Sequence, residues 1–195
     1  MIKKGSPGFW SGFGVALVIG WLAFPRILYR SLEQPVQFSH AIHTGETVGM
    51  TCDGCHTFSN DGRFAGIPTL VQCAGCHADV VGETEAEEHF VKEYIKQRRE
   101  VPWHVYARQP DNAHFSHADH VNVGGIVCER CHGSHGTSGS LRPFEENRIS
   151  GYSRDIWGAN ISGVKSNAWE GMKMNDCVAC HNENNHRSAC LDCHK

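Results

Sequence analysis

All ten cysteines of this 195-residue chain fall in five copies of one short unit. The copies are Cys52-Asp-Gly-Cys55-His56, Cys73-Ala-Gly-Cys76-His77, Cys128-Glu-Arg-Cys131-His132, Cys177-Val-Ala-Cys180-His181 and Cys190-Leu-Asp-Cys193-His194. Neither a disulfide framework nor a zinc site made of Cys-x-x-Cys knuckles requires a histidine after every second cysteine. Covalent haem attachment does. Two thiols three positions apart form thioethers to the two vinyl groups of one porphyrin, and the adjacent histidine reaches the iron as its proximal axial ligand. Five units predict five covalently bound haems c.

Nine histidines remain after the five proximal ones. Four stand in a repeat: Phe38-Ser-His40-x-x-His43 returns as Phe115-Ser-His117-x-x-His120, 77 residues later, each about a dozen residues before a haem unit. Such self-similarity indicates an internal duplication, two haem-binding modules in series. Two histidines three apart on one short helix point in similar but distinct directions. One can therefore serve the haem that follows and the other a different haem. His40, His43, His117 and His120 are accordingly candidate distal ligands, with His135 and His186, both close to haem units, next. His89 reads as a solvent-facing residue of a helix, and His104 and His114 stay open. Met172 and Met174 could also ligate iron, but the histidines suffice, and bis-histidine ligation keeps potentials low. No residue presents itself as an acid or base catalyst, so the isolated chain is expected not to be an enzyme.

The elements that must position these groups follow from how little chain there is. Beyond an N-terminal apolar run, about 33 residues serve each haem, too few for an ordinary side-chain core. The expected fold class is mainly α and irregular: an N-terminal transmembrane helix, then a multihaem cytochrome c domain packed around its haems. "SPGFWSGFGVALVIGWLAFP", Ser6 to Pro25, carries no charge and is flanked by Lys3, Lys4, Arg26 and Arg30. Its length is near the ~20 residues that span a bilayer, and Trp10, Trp21 and Tyr29 suit the interfaces. The alternative, a cleaved signal peptide, lacks an Ala-x-Ala site after the apolar run.

The expected organisation is a cytoplasmic N-terminus over 1–8, an anchor over 9–29, a first module with two haems over 30–81, a connector over 82–113 and a second module with three haems over 114–195. The connector should open as a helix, with Thr84 and Glu87 as a capping box, Lys96, Arg98 and Arg99 in its last turn, and Pro102 beyond it. An arm over 133–175 carries no haem unit. Its Phe144, Tyr152, Ile156, Trp157 and Trp169 argue against a free linker and predict packing on neighbouring subunits. Haem c is attached outside the cytoplasmic membrane, so the chain is expected in that membrane, single-pass, with its haem domain in the periplasm. A formal net charge of −3 makes nucleic acid an improbable partner and a basic redox protein a plausible one.

The Phe-x-His-x-x-His preceding Cys-x-x-Cys-His resembles the class III multihaem cytochromes. By that resemblance His40 would ligate the haem at Cys52–His56 and His117 the haem at Cys128–His132, while His43 and His120 would serve other haems. Over a longer span, "PWHVYARQPDNAHFSHADH", "NRISGYSRDIWG" and the closing "MKMNDCVACH...CLDCHK" resemble the cytochrome subunits of quinone oxidoreductases related to the complex iron-sulfur molybdoenzymes. Within these the likeness is greatest to the multihaem subunits of Qrc-type menaquinone reductases of sulfate reducers. The resemblance implies an electron donor, a soluble periplasmic tetrahaem cytochrome c. It also implies partners: iron-sulfur and molybdoenzyme-like subunits and an integral membrane quinone-site subunit. That family is described with six haems where five attachment units stand here. Either the sixth is absent, or spare histidines hold it without two thioethers. Rival readings are the pentahaem subunit of alternative complex III, carrying electrons from menaquinol, a self-sufficient anchored quinol dehydrogenase, and a multihaem nitrite reductase, which would need an open iron position.

Overall fold

The structure is a computed structural model and describes residues 6–106, 112–151 and 174–194. The arm residues Tyr152, Ile156, Trp157 and Trp169, and Met172, lie outside the described residues. Helix α1, Pro7–Leu28, opens with proline at its first position, where no N–H is needed, and the Phe9 N–H meets the Ser6 hydroxyl at 3.4 Å. Phe9, Trp10, Leu17, Ile19 and Trp21 are all exposed on it. Among the described residues no helix is long and apolar enough to cross a membrane.

The chain leaves α1 directly into strand β1, Tyr29–Leu32, which pairs antiparallel with β2, Phe144–Asn147, in the register Tyr29 to Asn147 and Leu32 to Phe144. An Arg30–Glu146 ion pair crosses this ribbon. It is the one sheet among the described residues. Everything else is short: α2, His40–Thr44; α3, Cys52–Cys55; α4, Leu70–Ala74; α5, Glu85–Phe90, which runs on into a π turn, Val91–Ile95. A second π turn, Asp119–Val123, precedes α6, Glu129–His132, and a 3-10 turn, Gly133–Thr137. The longest of the remaining helices is α7, Met174–Glu183, with ten residues, followed by α8, Cys190–Cys193. The expectation of a mainly helical and irregular chain with little sheet holds.

The connector helix departs from expectation at both ends. Thr84 does cap it, accepting from the Glu87 N–H at 3.2 Å. The Glu87 carboxylate does not complete the capping box, because three other donors claim it. At the far end the π turn and the left-handed Arg98, φ 52°, stop the helix before the basic residues join it.

The polypeptide builds almost no core of its own. Among the described residues only Val36, Val91, Tyr94 and Phe144 are buried apolar side chains, and none is fully buried. Buried Gln34 joins the start of the domain to the connector, donating to the His104 carbonyl at 2.9 Å and accepting from its N–H at 3.1 Å. Segments far apart in sequence interlock. The Ala41 N–H donates to the Ser138 carbonyl at 3.0 Å, the Thr44 hydroxyl to the Gly136 carbonyl at 2.8 Å, and the Ala118 N–H to the Gly62 carbonyl at 3.0 Å.

Gly62 stands at one of these contacts. Its φ is +70°, and a Cβ there would come within 2.7 Å of the Ala118 Cβ. Gly62→Ala is therefore expected to destabilise the protein by roughly 2–3 kcal/mol, from left-handed backbone strain plus a clash in a fixed contact. Denaturant titration of the haem-loaded protein would measure this as a lowered midpoint.

Candidate functional site

Each Cys-x-x-Cys-His unit closes into one helical turn. The His56 N–H bonds the Cys52 carbonyl at 2.8 Å, His77 that of Cys73 at 2.9 Å, His132 that of Cys128 at 3.0 Å and His194 that of Cys190 at 2.9 Å; the fourth unit, Cys177 to His181, lies inside α7. Residues three and four apart share a helix face, so the turn presents two sulfurs and one imidazole together. None of the ten cysteines is in a disulfide.

The repeated Phe-Ser-His-x-x-His builds the same device twice. Ser39 and Ser116 start their turns, accepting from the Ile42 N–H at 3.3 Å and the Asp119 N–H at 3.2 Å. Each phenylalanine meets its first histidine edge-on, at 4.9 and 4.8 Å, and stacks on its second, Phe38 on His43 at 4.3 Å and Phe115 on His120 at 4.5 Å. The serine carbonyls then take the Nδ1–H of those second histidines, His43 at 2.8 Å and His120 at 2.7 Å. The serine and phenylalanine roles were not read from the sequence, although their recurrence beside both histidine pairs was the signal.

These turns bring imidazoles together in four pairs. His40 lies 6.5 Å from His56, His43 6.1 Å from His77, His117 6.3 Å from His132, and His120 6.1 Å from His181, measured between ring centroids. Two imidazoles ligating one metal from opposite sides, at ~2 Å from each nitrogen, have ring centres roughly 6 Å apart. The observed spacings fit an iron between each pair.

Protonation fits as well. Nδ1 of His43, His56, His117, His120 and His181 each lies beside a backbone carbonyl, those of Ser39, Gly66, Arg63, Ser116 and Arg187, at 2.7–3.3 Å. A carbonyl can only accept, so Nδ1 carries the proton and Nε2 is left free to bind a metal. His77 differs: its Nδ1 meets the Glu87 carboxylate at 2.8 Å. Burial, then the neighbouring His135, His56 and His43, lower the His40 pKa to about 4, so its ring is neutral, the form that binds metal.

Five further histidines stand outside these four pairs. The His135 ring lies 5.0 Å from His40, and His186 lies 6.0 Å from His181, tilted by 55°. His104 stacks on buried Phe144 at 5.3 Å, and His89 lies edge-on to Tyr94 at 6.0 Å. The His114 N–H donates to the Cys193 carbonyl at 2.6 Å, beside the bridge that pairs Ala113 with His194. Among the described residues, no ring faces His194 as the other four proximal rings are faced.

Several contacts join the units to one another. Burial raises the Cys73 thiol pKa, and nearby Cys55 adds to it; burial and then nearby Cys52 raise that of Cys128; burial raises that of Cys177, with Cys131 and Cys193 among its neighbours. Phe58, just past the first unit, lies 6.1 Å from His117. Val71, Val127, Val178 and Leu191, all beside or within Cys-x-x-Cys-His units, are exposed apolar side chains.

Five Cys-x-x-Cys-His turns, with paired imidazoles beside a vestigial core, are the arrangement that a multihaem cytochrome c needs. No family model matches the chain. It is 40% identical over 206 aligned positions, covering 98% of this chain and 90% of the other, to the menaquinone reductase multihaem cytochrome c subunit of Nitratidesulfovibrio vulgaris. The chain belongs to this family of menaquinone reductase cytochrome subunits.

Proposed function

We propose that this chain is a membrane-anchored electron-transfer subunit. It accepts electrons from a soluble periplasmic tetrahaem cytochrome c and passes them to the iron-sulfur subunits of a menaquinone reductase complex. The observation that carries this reading is the set of four imidazole pairs at iron-ligating distance, each containing the proximal histidine of an attachment unit. The cysteines of the five units hold five haems, and haem iron supplies the one-electron chemistry. The chain's own work is to fix the ligands and their order.

That order differs from the order in sequence. His40 and His43, on the single turn α2, tie the first unit to the second, because each faces a different proximal histidine. His117 and His120 tie the third to the fourth in the same way. The Cys52–Cys128 contact and the Phe58–His117 contact join the first to the third, and Cys177 and Cys193 join the fourth to the fifth. The line runs second, first, third, fourth, fifth.

The uncharged run from Ser6 to Pro25 is near the ~20 residues that span a bilayer, and the described apolar side chains of α1 are exposed. This supports single-pass anchoring with the haem domain in the periplasm. Within the arm, Phe144–Asn147 pairs with β1 and Phe144 is buried in this chain; its other apolar residues, Tyr152, Ile156, Trp157 and Trp169, are assigned to contacts with neighbouring subunits: an iron-sulfur subunit, a molybdoenzyme-like subunit and a polytopic quinone-site subunit.

The test is mild purification from membranes through a C-terminal tag, with quantitation of what remains bound and an assay with reduced tetrahaem cytochrome and a menaquinone analogue. The expected result is a stoichiometric complex of those subunits that reduces the quinone. Recovery of the intact cytochrome alone, active with quinol, would replace this reading with the self-sufficient anchored dehydrogenase.

A further inference from the structure

Of the proximal histidines whose Nδ1 has a hydrogen-bond partner, His77 alone among the described residues meets a carboxylate; His56 and His181 meet backbone carbonyls. The carboxylate is held in place. One Glu87 oxygen accepts from the Val81 N–H at 2.9 Å as well as from His77 at 2.8 Å, and the other accepts from the Gly82 N–H at 2.8 Å. The Thr84 cap fixes the backbone of Glu87 itself. With its side chain only 11% exposed, the charge is poorly screened.

We propose that Glu87 is a positioning residue that orients His77 and makes it a stronger donor, lowering the potential of the haem attached at Cys73 and Cys76 relative to the others. A carboxylate that accepts a proton-bearing bond from Nδ1 shifts electron density toward Nε2, and a more electron-rich ligand stabilises ferric over ferrous iron. In the order second, first, third, fourth, fifth, this haem stands at one end of the line. Glu87 thus sets the potential of a terminal haem, where electrons enter or leave, and not of an interior one. The inference rests on the reading of His77 as an axial ligand.

The experiment is a redox titration of the purified complex with Glu87→Gln, monitored by the low-spin signals of the individual haems. The signal of this haem is identified by its loss in Cys73→Ser/Cys76→Ser. At a fixed solution potential, Glu87→Gln should raise the reduced-to-oxidised ratio of this haem about tenfold, which is 59 mV for one electron, and leave the others in place. Glu87→Asp, which keeps a carboxylate, should shift it less, and Thr84→Ala, which removes only the helix cap, should not reproduce the shift. An unchanged ratio with the haem retained would overturn the proposal, as would equal shifts for Gln and Asp or a shift spread evenly over all haems. Should the Gln variant fail to retain this haem, the Asp variant decides: a shift of about tenfold or more, with a carboxylate still present, would overturn it. Absence of haem from Cys73 and Cys76 in the unaltered protein, read from its mass, would instead strike the ligand reading beneath.

Discussion

Replacing His43 with alanine is expected to strip the distal ligand from a haem attached 30 residues downstream, at Cys73 and Cys76, and to leave the haem of the nearer unit, at Cys52 and Cys55, with both its ligands. His43 stands 6.1 Å from His77, whereas His40 stands with His56. Nothing else among the described residues offers His77 a second imidazole. One low-spin signal should become high-spin, and its potential should rise by on the order of 0.1–0.3 V, a fraction of the roughly 0.8 V that axial ligation commands. Visible and electron paramagnetic resonance titrations check this. A high-spin signal that persists when Cys73 and Cys76 are also replaced would assign the loss to the wrong haem and break the cross-ligation scheme.

The second large effect concerns the order of the haems. Serine at both Cys52 and Cys55 removes the first haem in sequence, which in the proposed order stands in the interior of the line, between the second and the third. The mass should fall by one haem. The haem at Cys73 and Cys76 should then exchange electrons with the remaining three much more slowly, and quinone reduction should drop to background. Were the haems ordered as in the sequence, losing the first would shorten the line at one end and leave the other four connected. Rapid-mixing reduction followed at the separate haem bands distinguishes the two.

Much of the site was legible because haem attachment is written in contiguous residues. Cys-x-x-Cys-His needs only one helical turn, and the hydrogen bonds from His56, His77, His132 and His194 show that turn closing each time. The pairing of histidines was half legible. Resemblance pointed His40 and His117 to the units that follow them, and those rings do stand beside His56 and His132. Which units His43 and His120 would meet could not be read, because the answer depends on how segments 30 to 60 residues apart fold back. Glu87 was misread for a related reason. Its spacing from Thr84 fits a capping box, but His77 and the N–H groups of Val81 and Gly82 arrive from a preceding loop and offer the carboxylate three donors where Thr84 offered one. The fold was legible chiefly by its poverty: a chain with so little apolar material per haem has few helices longer than a turn or two. The small ribbon joining Tyr29–Leu32 to Phe144–Asn147 was not foreseen, since neither strand has an alternating pattern long enough to announce it.

The central claim is that paired histidines from separate parts of this chain grip haem irons in a fixed line. A density map of the intact, haem-loaded complex tests it most directly. It should show one iron between His40 and His56, one between His43 and His77, one between His117 and His132 and one between His120 and His181, with the haem at Cys73 and Cys76 at the end of the line. An iron bound by any other combination of these eight histidines, or a haem at Cys52 and Cys55 standing at the end, would contradict the account.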